Sequence, residues 1–253
     1  MWLVLCDASD ASATLAFQAL RARGIAPLEM ITADALSLAE EWEHRVEGDA
    51  ASVRFRLQDG RAFEGAALRG VLNRLYTAPT WHWRAAAKVD QEYVQQELIA
   101  FFLSWLNALP CPVINRPTPQ GLCGRWRSEA EWVCLAQRAG LPVAPYRQSS
   151  YDRIDEMRGE KRLIAPGAAA RTVIVVEGIV TGASVPVPDD VKQACLHFAK
   201  DSETGLMGLD FIDGAAGPWT FAGANPMPDL RWGGPALIDA LATALAMQEA
   251  TPA

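Results

Sequence analysis

Residues 205–230 constrain this chain more than any other stretch. An apolar run, Leu-Met-Gly-Leu-Asp-Phe-Ile over residues 206–212, carries a single acid, Asp210, in its middle. Asp213-Gly214 follows, and then a second short run over residues 219–222. Apolar runs flanking an Asp-Gly step predict two adjacent antiparallel strands. Pairing would carry Asp210, near the end of one strand, toward Asn225, just past the end of the other. A carboxylate and an amide oxygen converging there are hard ligands of the kind Mg²⁺ takes alongside nucleotide phosphates. The same residues also suit a plain hairpin, with Asp210 bonded to nearby backbone and Asn225-Pro226 opening a turn.

A length of 253 residues fits one large domain or two to three small lobes and can bury a sizeable core. With 50% hydrophobic and 21% charged residues, the composition is that of an ordinary globular protein. A formal net charge of -7 argues against broad nucleic-acid binding, which wants a basic face, while leaving room for a local basic pocket. The N-terminal run over residues 1–7 lacks a basic lead and is too short for a signal peptide. Residues 99–109 are interrupted by Ser104 and Asn107, so no membrane span is expected. Cys6, Cys111, Cys123, Cys134 and Cys195 are scattered, odd in number and lack a Cys-x-x-Cys pair. They read as reduced thiols of a cytoplasmic protein without a zinc site, several of them small buried hydrophobes.

Residues 2–6 predict a strand and residues 12–23 a helix stopped by Gly24, the opening half of an α/β unit. No Gly-x-Gly-x-x-Gly follows the strand, so a dinucleotide fingerprint is absent. Residues 53–57 alternate apolar and basic, and the Asp59-Gly60 turn leads to Ala62-Phe63. This is a hairpin with one wet face bearing Arg54 and Arg56. Residues 68–72 predict a strand ending at Asn73-Arg74. Arg74 at that exit suits either a substrate carboxylate or a structural salt bridge. Residues 86–109 form the longest helical pattern, with Val89, Tyr93, Leu98, Phe101, Phe102, Trp105 and Leu106 at helical spacing. Such an aromatic stripe belongs to a core or a dimer interface. His44, His82 and His197 offer no metal spacing, and none is assigned a catalytic role. Residues 112–115 predict a buried strand followed by Arg116-Pro117, and Ser128-Glu129-Ala130-Glu131 is a capping box opening a helix that runs to Gly140. A short helix over residues 150–158, a strand over 162–165, and a hairpin over 172–184 turning at Glu177-Gly178 come next. Helices over 190–200 and 235–248 complete the chain.

Several of these segments together resemble the ATP-grasp ligases of the RimK-like and peptide-maturase type. The likeness rests on Gly208-Leu209-Asp210-Phe211-Ile212 with Asn225-Pro226, and on Arg171 leading a strand. It rests also on a strand ending in Val-Ile-Asn at 113–115, followed by Gly-Leu-Pro-Val-Ala-Pro at 140–145. It covers roughly residue 71 to the C-terminus and is strongest at the end. The resemblance implies an α/β protein of α+β lobes. A pre-grasp-type domain would span residues 1–115, and a truncated nucleotide-binding lobe residues 116–253. It also implies chemistry in which ATP phosphorylates a carboxylate and an amine attacks the acyl-phosphate. Asp210 and Asn225 would hold Mg-ATP, Arg171 would contact phosphate as the catalytic cation, and Lys161 would be a substitute phosphate contact. Arg74, Asn115 and Arg116 would be the substrate candidates.

The pattern departs from the family at two positions. Gly223 stands where the second strand carries a metal carboxylate, and Ala165 where a strand lysine is expected. The chain also passes almost directly from Gly167 to Arg171, without room for a phosphate-covering loop. Each lost electrostatic group is worth about 3–4 kcal/mol at a transition state. The expectation is a degenerate homologue, non-catalytic or dependent on a partner, binding a peptide, a small carboxylate or an active ligase subunit. An active shortened ligase is the alternative, and a homodimer or heteromer is compatible with the aromatic helix.

Overall fold

The computed structural model describes residues 1–48, 50–78, 80–147, 171–182, 186–214 and 217–246. The expected helix over 150–158, the strand over 162–165, and Lys161 and Ala165 lie outside them. The chain divides into two units, Met1–Arg125 together with the residues from Ile238 onward, and Trp126–Leu237. The expected boundary came earlier, after residue 115 against 125 here, and the closing helix from Ile238 groups with the first unit rather than the second.

The first unit is built on a parallel sheet in the order β2-β1-β6-β7, comprising β1 (Trp2–Cys6), β2 (Leu28–Thr32), β6 (Gly70–Arg74) and β7 (Val113–Ile114). All residues of β1 and β6 are buried, as expected of strands covered on both faces. Helix α1 (Ala11–Ala22) connects β1 to β2 and is capped by Asp10, whose side chain accepts from the Ala13 N–H at 3.0 Å. A short helix α2 (Ala33–Ser37) follows β2. The closing helix, numbered α6 below, reaches the same sheet. The Trp2 indole donates to the Leu245 carbonyl at 3.4 Å, and Arg23 pairs with Asp239. Between β2 and β6 the chain forms an antiparallel sheet of β3 (Glu41–Glu47), β4 (Ala50–Arg56) and β5 (Ala62–Glu64). Arg54 and Arg56 lie on its wet face, paired with Glu64 and Glu41, as the alternation predicts. Helix α3 (Lys88–Ala108) packs on β4, burying Phe102, Trp105 and Leu106, with Phe55 edge-on to Trp105.

The second unit carries the antiparallel sheet β11-β10-β8-β9, with β8 (Arg171–Val176), β9 (Ile179–Gly182), β10 (Leu206–Gly214) and β11 (Gly217–Asn225). Both hairpin strands run further than the apolar runs suggest, and Asn225 is the last residue of β11 rather than a loop residue. Helices α4 (Glu129–Ala139) and α5 (Asp189–Ser202) pack against it, and α6 (Gly234–Ala246) begins in this unit. Ser128 and Glu131 form the expected capping box, and Gly140 closes α4 in the left-handed region at φ 85°. The core consists of Val173, Val175, Met207, Leu209, Phe211 and Phe221 from alternate sheet positions, set against Trp132, Leu135 and Phe198 of the helices. Each such large apolar side chain contributes about 1.5–3 kcal/mol by leaving water.

Candidate functional site

The β10–β11 hairpin is the first place to look, and its register is explicit. Asp210 lies opposite Gly223 on β11 and Thr172 on β8, while Asn225 lies opposite Gly208. Alternation along a strand then places Thr172, Asp210, Gly223, Gly208 and Asn225 on one face of the sheet. That face is the one away from the Val173–Leu209–Phe211 core. Asp210 and Asn225 are diagonal neighbours there, about 7–8 Å apart at their backbones by ordinary sheet geometry.

Each already has work within the chain. Asp210 Oδ1 accepts from the Thr172 hydroxyl at 2.6 Å. Asn225 Oδ1 accepts from the Met227 N–H at 2.8 Å, the turn that Asn-Pro invites. The two glycines of this face differ sharply. A Cβ on Gly208 would come within 2.8 Å of Pro228 Cβ, so the glycine lets the Asn-Pro-Met-Pro segment lie on the strand. A Cβ on Gly223 would meet nothing within 4 Å, and its φ lies outside the left-handed region. The missing carboxylate therefore leaves open space, not a replacement contact.

Arg171 is not part of this face. It lies opposite Phe211, so alternation turns it to the other side of the sheet from Asp210. Its guanidinium grips Asp213 through two bonds of 2.8 and 3.2 Å, donates to the Pro218 carbonyl at 2.8 Å, and lies 5.6 Å from the Trp219 ring centroid. The ion pair holds the Asp213 carboxyl below its ordinary pKa and raises that of Arg171. Among the described residues no group of three or more His, Cys, Asp or Glu side chains could hold a metal ion. The face offers one carboxylate and one amide oxygen, both hydrogen-bonded within the chain, where Mg²⁺ beside nucleotide phosphates takes one or two carboxylates.

The substrate candidates of the first unit are committed to structure. Arg74 leaves β6 into a buried ion pair with Asp10, Nε to Oδ2 at 2.7 Å, with the side chains 3% and 6% exposed. Arg116 lies just past β7 and turns back to α3. It donates to the carbonyls of Leu106, Asn107, Leu109 and Cys111 at 2.9–3.3 Å. These are carbonyls at and just past the end of α3, where backbone acceptors lack helical partners and a cation is favoured. Asn115 sits buried at φ 60°, a backbone conformation asparagine tolerates, and its amide contacts Cys123 Sγ at 3.8 Å. Neighbouring Asn73 donates to the Asn115 and Leu122 carbonyls at 2.8 and 2.7 Å.

Asp10, Thr172 and Pro228 were not singled out in the sequence, and Asp213 only as part of a turn signal, because their roles depend on strand register and loop closure. Asp7 follows β1, and burial pushes its carboxyl above the ordinary range, against the Tyr76 N–H that stabilises its charge. The buried thiols Cys6 and Cys195 are pushed up to about 12 and Cys123 to about 11, all by desolvation, so none is a thiolate nucleophile at neutral pH.

No protein-family model matches this chain, and no curated protein sequence does. Solved structures do. The macrocyclase MdnB from Microcystis aeruginosa MRC aligns with TM-score 0.67 at 17% identity, over 97% of this chain and 98% of that one. The ATP-grasp ligase PsnB, complexed with a phosphomimetic variant of minimal precursor, Mg and ADP, aligns with TM-score 0.68 at 18% identity, over 96% and 98%. A RiPP-associated ATP-grasp ligase from Chryseobacterium gregarium, in complex with ADP and a leader and core peptide, aligns with TM-score 0.71 at 10% identity, over 99% and 97%. The mixed α/β architecture and these end-to-end alignments agree: this chain shares the fold of these ATP-grasp ligases.

Proposed function

We propose that this protein is a peptide-binding ATP-grasp homologue that has lost independent ligase activity, and that it serves as a non-catalytic or partner-dependent subunit in the ATP-dependent joining of a carboxylate to an amine. The observation that carries this reading is Gly223. It faces Asp210 directly across the hairpin and leaves open space where a second acidic ligand would stand. Arg171, the expected phosphate contact, is held by Asp213 on the other face. Ala165 in place of a lysine adds to the deficit at the level of sequence. A peptide partner is supported by two of the solved structures named above. PsnB was solved with minimal precursor, and the Chryseobacterium ligase with a leader and core peptide.

The alternative is an active ligase. Asp210 and Asn225 still share a face, and the Thr172 hydroxyl orients the carboxylate. Release of ADP from Mg-ATP by the purified full chain, with and without a carboxylate-bearing peptide, separates the two. The expected result is no release above the protein-free rate. Mg²⁺-dependent release abolished by Asp210→Ala would overturn the proposal in favour of the active ligase.

A further inference from the structure

A cavity in the first unit carries a hydrogen bond left unmade. Strand β4 runs for seven residues but β5 for only three, so Arg54–Arg56 pair on both sides and Ala50–Val53 pair with β3 alone. Where β5 stops, the chain turns through Gly65–Ala67, and between that turn, β4 and the end of α3 lies a cavity of about 160 Å³. A Cβ on Gly65 would lie 3.2 Å from Leu109 Cδ2 and 3.4 Å from Val53 Cβ, so a glycine is needed for the turn to close one side of it. The wall is apolar, made by Val53, Ala66, Trp105, Ala108 and Leu109. Trp105 is fully buried, with its ring edge-on to Phe55 and the centroids 5.0 Å apart. Among the described residues its indole Nε1–H has no acceptor. A buried tryptophan ordinarily finds a partner for that N–H, because an unpaired donor away from water forfeits the bond it made in the unfolded chain.

The polar lining indicates what would complete the site. Glu43, Arg54 and Glu64 edge the cavity and are exposed, which leaves its mouth open to solvent. Their charges are already matched within the chain. Arg54 stands opposite Glu43 on β3 and Glu64 on β5, and lies 3.4 Å from the Glu64 carboxylate. Glu43 is bonded to Arg45 at 3.0 Å. A charged ligand of either sign would meet a like charge at this rim. The unmet valence in the wall is a neutral donor, and the rest of the wall is hydrocarbon. An apolar cavity of about 150 Å³ holds a molecule the size of benzene. We propose that this cavity is a binding site for a small neutral molecule of about six to nine non-hydrogen atoms. Its hydrocarbon body lies against Val53, Ala108 and Leu109, and one acceptor oxygen, of a ketone or an amide, takes the Trp105 N–H. The site belongs to the first unit and the Asp210 face to the second, and it does not rest on the ligase-related reading above.

Titration of cyclohexanone into the full chain, labelled with ¹⁵N at its tryptophans and followed by NMR, tests the site. Trp105→Phe identifies the Trp105 indole signal among the nine tryptophans. Cyclohexanone is expected to move that signal downfield and saturably at millimolar concentration, the affinity open to so few atoms. Cyclohexylammonium, of the same size but a donor only, should bind at least tenfold more weakly. Trp105→Phe keeps an aromatic ring and removes the N–H, and its affinity for cyclohexanone, read from the ligand's own signals, should fall at least fivefold. Ala108→Leu fills the cavity and should abolish binding. The remaining indole signals, unmoved, show that both variants are folded. The absence of a saturable shift even at tens of millimolar, as a cavity holding only water would give, would overturn the proposal. So would equal affinity for cyclohexylammonium, or a shift that Ala108→Leu leaves unchanged.

Discussion

The polar residues that stand out in the two units have opposite fates. In the first unit Arg74 and Arg116 are saturated. One is sealed in an ion pair with Asp10, and the other is spread over four carbonyls around the end of α3. In the second unit Asp210 and Asn225 are half-buried, each holds one intramolecular bond, and the glycine opposite Asp210 leaves space beside them. Residue type does not separate the two groups, since an arginine at a strand exit and an acid within a strand are both reasonable ligands. What separates them is how far the fold has already used their hydrogen-bonding and charge capacity. Saturated groups report on stability, and unsaturated ones retain the capacity to bind.

The largest effect expected from that contrast is on Arg74. Asp10→Ala leaves a buried guanidinium without its carboxylate and also removes the α1 cap, and should cost about 3–5 kcal/mol in urea unfolding. Replacing both Asp10 and Arg74 with apolar residues should cost less than the single change. A loss below about 1 kcal/mol for Asp10→Ala would mean that Arg74 is not structurally committed and is open to a ligand. Arg116→Ala comes next. It strips a cation from several carbonyls at once and should lower stability by about 1–3 kcal/mol, read as a fall in Tm with the Asp210 face undisturbed.

Within the hairpin the two glycines sharpen the comparison. Gly208→Ala forces a methyl against Pro228 and should cost about 1–3 kcal/mol by overpacking. Gly223→Ala, with open space around it, should stay within about 0.5 kcal/mol of wild type. The smallest effect belongs to Arg171. Asp213 has a depressed folded-state pKa, so the pair stabilises above the unfolded pKa of about 3.9 and is lost as pH falls through the lower folded value. Arg171→Gln should therefore flatten the acid limb of the stability–pH curve slightly, and leave stability at neutral pH little changed because the pair is exposed. A large neutral-pH loss would mean that Arg171 carries more of the sheet than an exposed pair can.

Much of this was legible in the sequence where local chemistry decides the outcome. Apolar runs on either side of Asp213-Gly214 marked the hairpin, although these two residues end β10 instead of forming its turn; Ser128 and Glu131 marked the start of α4, and Glu177-Gly178 marked the β8–β9 turn, where both residues take positive φ. Strands β2 and β3 escaped. Residues 28–32 are a short run with an acid inside it, and residues 41–47 read Glu-Trp-Glu-His-Arg-Val-Glu, a charged edge with only one large aromatic to suggest strand. The fate of Arg74 and Arg116 was also hidden, because their partners lie 64 residues away in one case and at the end of a different element in the other. The shared face of Asp210 and Asn225 could be read from pairing alone. That Thr172 joins them and Arg171 does not depends on the register of a third strand.

The most direct test of the central claim, that the hairpin lacks a nucleotide–metal site for want of a carboxylate at position 223, is calorimetric titration of Mg-ATP into the wild-type chain and into Gly223→Glu. A Cβ at position 223 meets nothing within 4 Å, and urea unfolding of the variant checks that it folds as the wild type does. The wild type should give no binding or only millimolar binding, and Gly223→Glu should bind at least tenfold more tightly, about 1.4 kcal/mol, only with Mg²⁺ present. Micromolar binding by the wild type that Asn225→Ala weakens and Gly223→Glu leaves unchanged would contradict it, and would show a complete site on this hairpin already.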